Sequence, residues 1–144
     1  MIKEIINENL VEVNINVKNR EEAIRKGGEL LEKNGFIEKS YVEAMIENLK
    51  ENGAYIVLAP GIAFPHARPE YGAKKIGFSI ITLENAIEFG NKTNDPVKLV
   101  VCISAVDHDT HLEAFAELVD IMADEEKLNN IMNAKNKNDI LKNF

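Results

Sequence analysis

The run from Val97 to Val106, Val-Lys-Leu-Val-Val-Cys-Ile-Ser-Ala-Val, constrains the fold more than any other segment. Lys98 and Ser104 alone interrupt its apolar and small side chains, so it lacks the alternation of a strand that is wet on one face. A β-branched run of this kind is expected at the centre of a sheet that is covered twice. Further strands are expected around it. Leu10 to Val17 alternates Val11, Val13, Ile15 and Val17 with polar residues, and Lys75 to Leu83 has strand length and β-branched content. Tyr55 to Ala59, the turn pair Pro60-Gly61, and Ile62 to His66 read as strand, turn, strand. Gly90 to Pro96 reads as a polar loop.

Helices are expected on either side of this block. One starts near Asn19, a candidate cap with Glu22 three residues on, buries Ile24, Gly27, Gly28 and Leu31, and ends at Gly35. A second opens on the apparent capping box Ser40-Tyr41-Val42-Glu43, presents Val42, Met45, Ile46 and Leu49 on one face, and stops near Gly53. The last third reads as an amphipathic helix from about Thr110 to Ala123, with shorter pieces near 124–133 and 138–142. Strands gathered in the middle do not make the regular alternation of a doubly wound sheet. The expected fold is α+β in three layers (α/β/α), a mixed β-sheet flanked by helices on both faces. With 144 residues, 45% of them hydrophobic, one domain over 1–144 suffices to enclose one core.

Charge narrows the function. The net charge of −7 is spread along the chain and no Lys/Arg stripe appears, so nucleic acid is not an expected partner. The start, MIKEIINENLVEV, is broken by charges before a signal-type apolar core forms, and no later run could span a bilayer. A cytoplasmic protein is expected. The lone Cys102 lies inside the apolar run and reads as a buried, inert thiol.

Chemistry is expected at histidine. The chain has three, His66, His108 and His111. Pro65 fixes its own φ and holds Phe64 extended, so the backbone presents His66 rigidly at a junction between a strand and the loop Ala67-Arg68-Pro69-Glu70-Tyr71-Gly72. By itself Pro-His-Ala-Arg is a weak motif, and an imidazole that only hydrogen-bonds a loop carbonyl reads equally well. Thr110-His111-Leu112-Glu113 has capping-box spacing, which puts His111 in a first helical turn where free N–H groups favour an anion; alone, it also reads as a polar surface residue. Together the two are more specific. A neutral imidazole attacks phosphorus without first losing a proton, and a second imidazole, a helix start and an Arg can hold the phosphoryl oxygens. Such a site needs no metal and no cofactor. A zinc or iron site could be drawn from Asp107, His108, Asp109 and His111 with His66, but both aspartates are equally explained as turn and capping residues, and there is no HExxH or cysteine pair.

The stretch from Ala59 to Glu70, Ala-Pro-Gly-Ile-Ala-Phe-Pro-His-Ala-Arg-Pro-Glu, is followed by Gly77-Phe78-Ser79, Phe89-Gly90, Asn94-Asp95-Pro96-Val97 and His111-Leu112-Glu113. These motifs, over essentially the whole chain, resemble the enzyme IIA domain of the mannitol/fructose class of the sugar phosphotransferase system, and Ala-Arg-Pro-Glu resembles its ascorbate-type branch. The resemblance implies that His66 takes a phosphoryl group from the carrier protein HPr and passes it to a cysteine of a cognate enzyme IIB, with a membrane enzyme IIC served indirectly. It implies His111 as the companion of His66; Thr110, the expected cap of that helix, is a further phosphoryl-stabilising candidate. Mannitol-type members use an Arg ahead of the histidine. The ungapped position here is Lys50, so Lys50 or Arg68 would do that work, and Lys lacks the two-pronged geometry. Cys102 does not correspond to the enzyme IIB cysteine. The expected activity is that of a phosphotransferase component driving uptake of a sugar, with ascorbate or a related sugar acid or pentitol in view. The alternative is a regulatory module that uses the same phosphohistidine as a signal. The sugar, and the choice between monomer and homodimer, are left open by the sequence.

Overall fold

The computed structural model describes residues 2–106 and 112–144, without the side chains of Glu4 and Leu112. A mixed sheet of four strands forms the middle: β1 (Val11–Ile15), β2 (Ile62–Ala63), β3 (Gly77–Ile87) and β4 (Val97–Ser104), in the order β1-β3-β4-β2. β1 runs parallel to β3, β3 antiparallel to β4, and β2 parallel to β4. The apolar run of β4 is therefore internal to the sheet, as its composition requires, and Leu99, Val100, Val101 and Cys102 are all buried.

Three short 3-10 turns and five α-helices accompany it among the described residues: α1 (Arg20–Lys33), α2 (Lys39–Asn52), α3 (Leu112–Ala123), α4 (Glu125–Met132) and α5 (Lys137–Leu141). Adjacent residues of β3 show how both faces are covered, since neighbouring side chains on a strand point oppositely. Ser79 donates through Oγ to the Gly27 carbonyl of α1 at 2.7 Å, whereas Phe78 packs against Phe144, just beyond α5, with ring centroids 6.5 Å apart. The fold is α+β, with helices in a layer on each side of the mixed sheet.

Local signals account for most helix boundaries. Asn19 caps α1 by accepting from the Glu22 N–H, and Asp124 and Asn136 cap α4 and α5 in the same way. The start of α2 differs from the sequence reading. Its cap position is Glu38, which makes no side-chain cap bond, and the expected Ser40/Glu43 box does not form. Tertiary partners take both side chains: Ser40 Oγ donates to the Tyr71 carbonyl at 2.7 Å, and Glu43 pairs with Arg25 of α1 at 2.6 Å. The arginine holds the Glu43 carboxyl below its usual range.

The segment Tyr55 to Ala59 also differs: it is a turn region, not a strand. Ile56 and Val57 are buried side by side while Tyr55 and Leu58 face solvent, which is not a strand's alternation. Ala59 bridges only the neighbouring Ile62. β2 ends at Ala63 rather than at His66, because Pro65 has no N–H to extend the ladder. β3 runs on to Ile87, past the predicted end at Leu83, through the exposed Glu84, Asn85 and Ala86, where no apolar alternation marks it.

α1 approaches the sheet closely at Gly27, where a Cβ would lie 2.7 Å from Cys102 Sγ. Burial pushes that thiol up to about 12, so it stays protonated and inert, as its sequence context implies. We expect Gly27→Ala to destabilise the protein by about 1–2 kcal/mol, overpacking outweighing helix propensity. In a Cys102→Ala background the same change should be neutral or stabilising. A double-mutant cycle from denaturant unfolding measures this coupling, and additive effects would show that the helix is not seated on the sulfur.

Candidate active site

His66 stands just past the edge strand β2, and main-chain bonds hold it there. The Gly61 carbonyl accepts from Lys98 and Leu99 N–H at 2.9 and 3.0 Å, and the Pro65 carbonyl accepts from Ile103 N–H at 2.9 Å. Proline thus still engages β4 through its acceptor. Gly61 itself sits at φ +75°, the left-handed region that the Pro-Gly turn requires.

The polar loop 90–96 braces this segment from outside. Asp95 gathers the N–H groups of Phe89, Gly90 and Asn91 at 2.8 to 3.1 Å. So shaped, the loop directs Asn91 Nδ2 to the Ala54 and Val57 carbonyls and Asn94 Nδ2 to the Val57 carbonyl at 2.8 Å. The Asn94 carbonyl in turn receives the Gly61 N–H at 2.8 Å. The Val57 carbonyl is thereby satisfied by side chains, and those of Ile56 and Ala59 by the Phe64 and Ile62 N–H groups, which is how the turn 55–59 remains stable.

From below, α2 holds the residue after the histidine. The Tyr41 side chain is fully buried. Its hydroxyl donates to the Ile103 carbonyl at 2.7 Å and accepts from the Ala67 N–H at 3.1 Å. His66 is therefore flanked by hydrogen-bonded residues on both sides.

The imidazole is half-buried, with Nδ1 2.8 Å from the Phe64 carbonyl. A carbonyl can only accept, so this contact makes Nδ1 the donor, and in the neutral ring Nε2 keeps the lone pair. His66 lines an open groove between α2, the 55–68 segment and α3, with Leu58, Phe64, Phe115 and Met122 among its apolar walls. Both candidate cations reach the same groove. Lys50, on α2, is paired with Glu21 at 3.6 Å. Arg68 is exposed at the start of the short 3-10 turn Pro69–Tyr71, and it has no acidic partner among the described residues. Thr110, His111 and His108, with the metal alternative built on Asp107 to His111, lie outside the described residues.

Sequence reading missed Tyr41, Asn48 and Tyr55 around His66. For the first two a signal existed: they lie seven residues apart on α2, two turns and hence one face, the face turned to the His66 loop.

Burial pushes the Tyr41 hydroxyl up from its ordinary 10.0 to about 12, against the bond to Ala67. The unfolded chain therefore loses this proton first, and the stabilisation it represents is complete below pH 10 and lost as pH rises towards 12. Cys102 adds a loss of the same sign between 9.0 and about 12. We expect stability to fall across this alkaline range, and Tyr41→Phe to flatten the slope while lowering neutral-pH stability by about 1–3 kcal/mol through the unpaired backbone groups. Chemical denaturation as a function of pH checks both, and an unchanged slope in the variant would remove Tyr41 as the titrating group.

Comparison with known proteins agrees with this architecture. Residues 4–144 match the family described as phosphoenolpyruvate-dependent sugar phosphotransferase system, EIIA 2. The ascorbate-specific PTS system EIIA component of Escherichia coli K12 is 37% identical over 122 residues, 84% of this chain and 79% of that protein. The solution structure of the mannitol-specific cryptic enzyme IIA CmtB of Escherichia coli superposes with a TM-score of 0.89 at 34% identity, covering 99% of this chain and 96% of that one. In a complex of enzyme IIA and phosphorylated enzyme IIB of the Escherichia coli mannitol system, the enzyme IIA matches with a TM-score of 0.81 at 25% identity, over 96% and 95% of the two chains. A sheet that delivers one anchored imidazole to an open groove, in a chain matched almost end to end, belongs to the EIIA type 2 family of the sugar phosphotransferase system, a phosphoryl carrier in sugar uptake.

Proposed function

We propose that His66 is the residue that carries the phosphoryl group, accepting it on Nε2 from the phosphohistidine of HPr and passing it to a cysteine of a cognate enzyme IIB. The observation that carries this reading is the Nδ1 contact to the Phe64 carbonyl, which leaves Nε2 as the nucleophile of a ring that lines an open groove. In the first step the Nε2 lone pair forms a bond to phosphorus, and the donor's N–P bond breaks with its electron pair returning to the donor imidazole. In the second, an enzyme IIB thiolate forms an S–P bond and the His66 N–P pair returns to Nε2. Both steps are displacements at phosphorus governed by positioning and charge.

The Nδ1 proton stays on His66 throughout, and the Phe64 carbonyl accepts from it while the phosphorylated ring is cationic. Arg68 is favoured over Lys50 as the cation that meets the phosphoryl oxygens, because Glu21 already engages Lys50 and a guanidinium matches two oxygens at once. His111 and Thr110 are proposed companions on the strength of the sequence motif, at the entry to α3. A whole-chain single domain working in the cytoplasm fits this role. Among the described residues no helix is long and apolar enough to cross a membrane. The identity to the ascorbate-specific relative favours ascorbate or a related sugar acid as the transported solute.

Labelling with phospho-HPr tests the assignment. The wild-type protein should take up label and lose it to enzyme IIB, while His66→Ala should take up none; undiminished labelling of that variant would refute His66 as the carrier. His111→Ala should keep the fold and slow transfer by about 100- to 1000-fold, in keeping with a group that holds transferring oxygens. An unchanged rate would reduce His111 to a residue of the helix entry.

A further inference from the structure

His66 is also contacted by side chains to which the phosphoryl route assigns no role. The Tyr55 ring meets the imidazole edge to face, with centroids 5.9 Å apart and planes at 84°. Asn48 Nδ2 donates to the Tyr55 hydroxyl at 2.7 Å and lies 3.3 Å from the His66 carbonyl oxygen. The orientation of that amide is itself fixed, since Asn52 Nδ2 donates to Asn48 Oδ1 at 2.6 Å.

Core packing does not explain Tyr55, which is 45% exposed. Its ring stands against the imidazole because the 55–59 segment turns instead of continuing as a strand. A ring held only through Nδ1 retains freedom to swing, and loss of that freedom brings a nucleophile nearer its reactive geometry. We propose that Tyr55 and Asn48 form a positioning clamp for His66: the tyrosine ring walls one side of the imidazole, and the asparagine ties that wall and the His66 backbone to α2. The proposal rests on the reading of His66 as the phosphoryl carrier. Neither residue is asked to touch the transferred group.

Two measurements test the clamp. The first is the rate of phosphoryl uptake from phospho-HPr. The second is the 15N–1H correlation spectrum of the imidazole nitrogens, which needs no donor and reports the balance between Nδ1–H and Nε2–H. For Tyr55→Leu and Asn48→Ala we expect uptake slowed about three- to tenfold, the range an aromatic edge-to-face contact implies, together with a shift away from pure Nδ1–H. Tyr55→Phe keeps the wall but loses its tie to Asn48, and should fall between the wild type and Tyr55→Leu in rate and in Nδ1–H signature. Wild-type rate and tautomer in Tyr55→Leu would overturn the proposal, as would a Tyr55→Phe variant no better than Tyr55→Leu. If Asn48→Ala fails to fold, the two Tyr55 variants still decide the matter. A wild-type protein that accepts no phosphoryl group from HPr would instead count against the carrier reading, and the spectra would continue to test the clamp.

Discussion

The main-chain bond from Ile103 N–H to the Pro65 carbonyl is the contact on which the site depends. β2 has only two residues, too few to hold a reactive group by itself. Its register on β4 is extended by acceptors alone, Gly61 before the strand and Pro65 after it, so the chain leaves the sheet edge at a fixed point and in a fixed direction. A proline is suited to that place. It cannot donate to a further strand, and its carbonyl still binds the strand beside it. The histidine then follows at a position defined by an internal strand of the sheet.

Around that bond the protein spends its polar side chains on backbone. Asp95, Asn91 and Asn94 shape one loop and lend their bonds to the next, Tyr41 bridges β4 and Ala67, and Asn48 reaches the His66 carbonyl. Such side-chain to main-chain bonds let a segment stay ordered without being helix or strand. Rigidity at His66 is thus produced by elements with no regular structure, supported from an internal strand and from one face of α2.

Much of this was readable in the sequence where the physics is local or strongly patterned. β4 announced itself by its unbroken apolar run, and α1 by Asn19 and its buried stripe. The pairing of Pro65 with His66 marked the site. Where tertiary partners override local preference, reading failed. Ser40 and Glu43 have capping spacing but are taken by Tyr71 and Arg25. Tyr55 to Ala59 has a strand's composition, yet asparagines thirty-odd residues away satisfy its Val57 carbonyl, and no window along the chain contains that information. The spacing of Tyr41 and Asn48 is present in the sequence, but its meaning comes from the loop it faces.

The anchored Nδ1 proton has a consequence for energetics as well as for aim. Along the proposed route the imidazole begins and ends each cycle in one protonation state, so neither acceptance nor donation exchanges a proton with water. On that route one phosphohistidine replaces another, so the N–P bond formed on His66 is of the same kind as the one broken in the donor. On the proposed route traffic through such a node runs in both directions, and the fraction of molecules loaded at any moment reads out the balance between supply upstream and demand downstream.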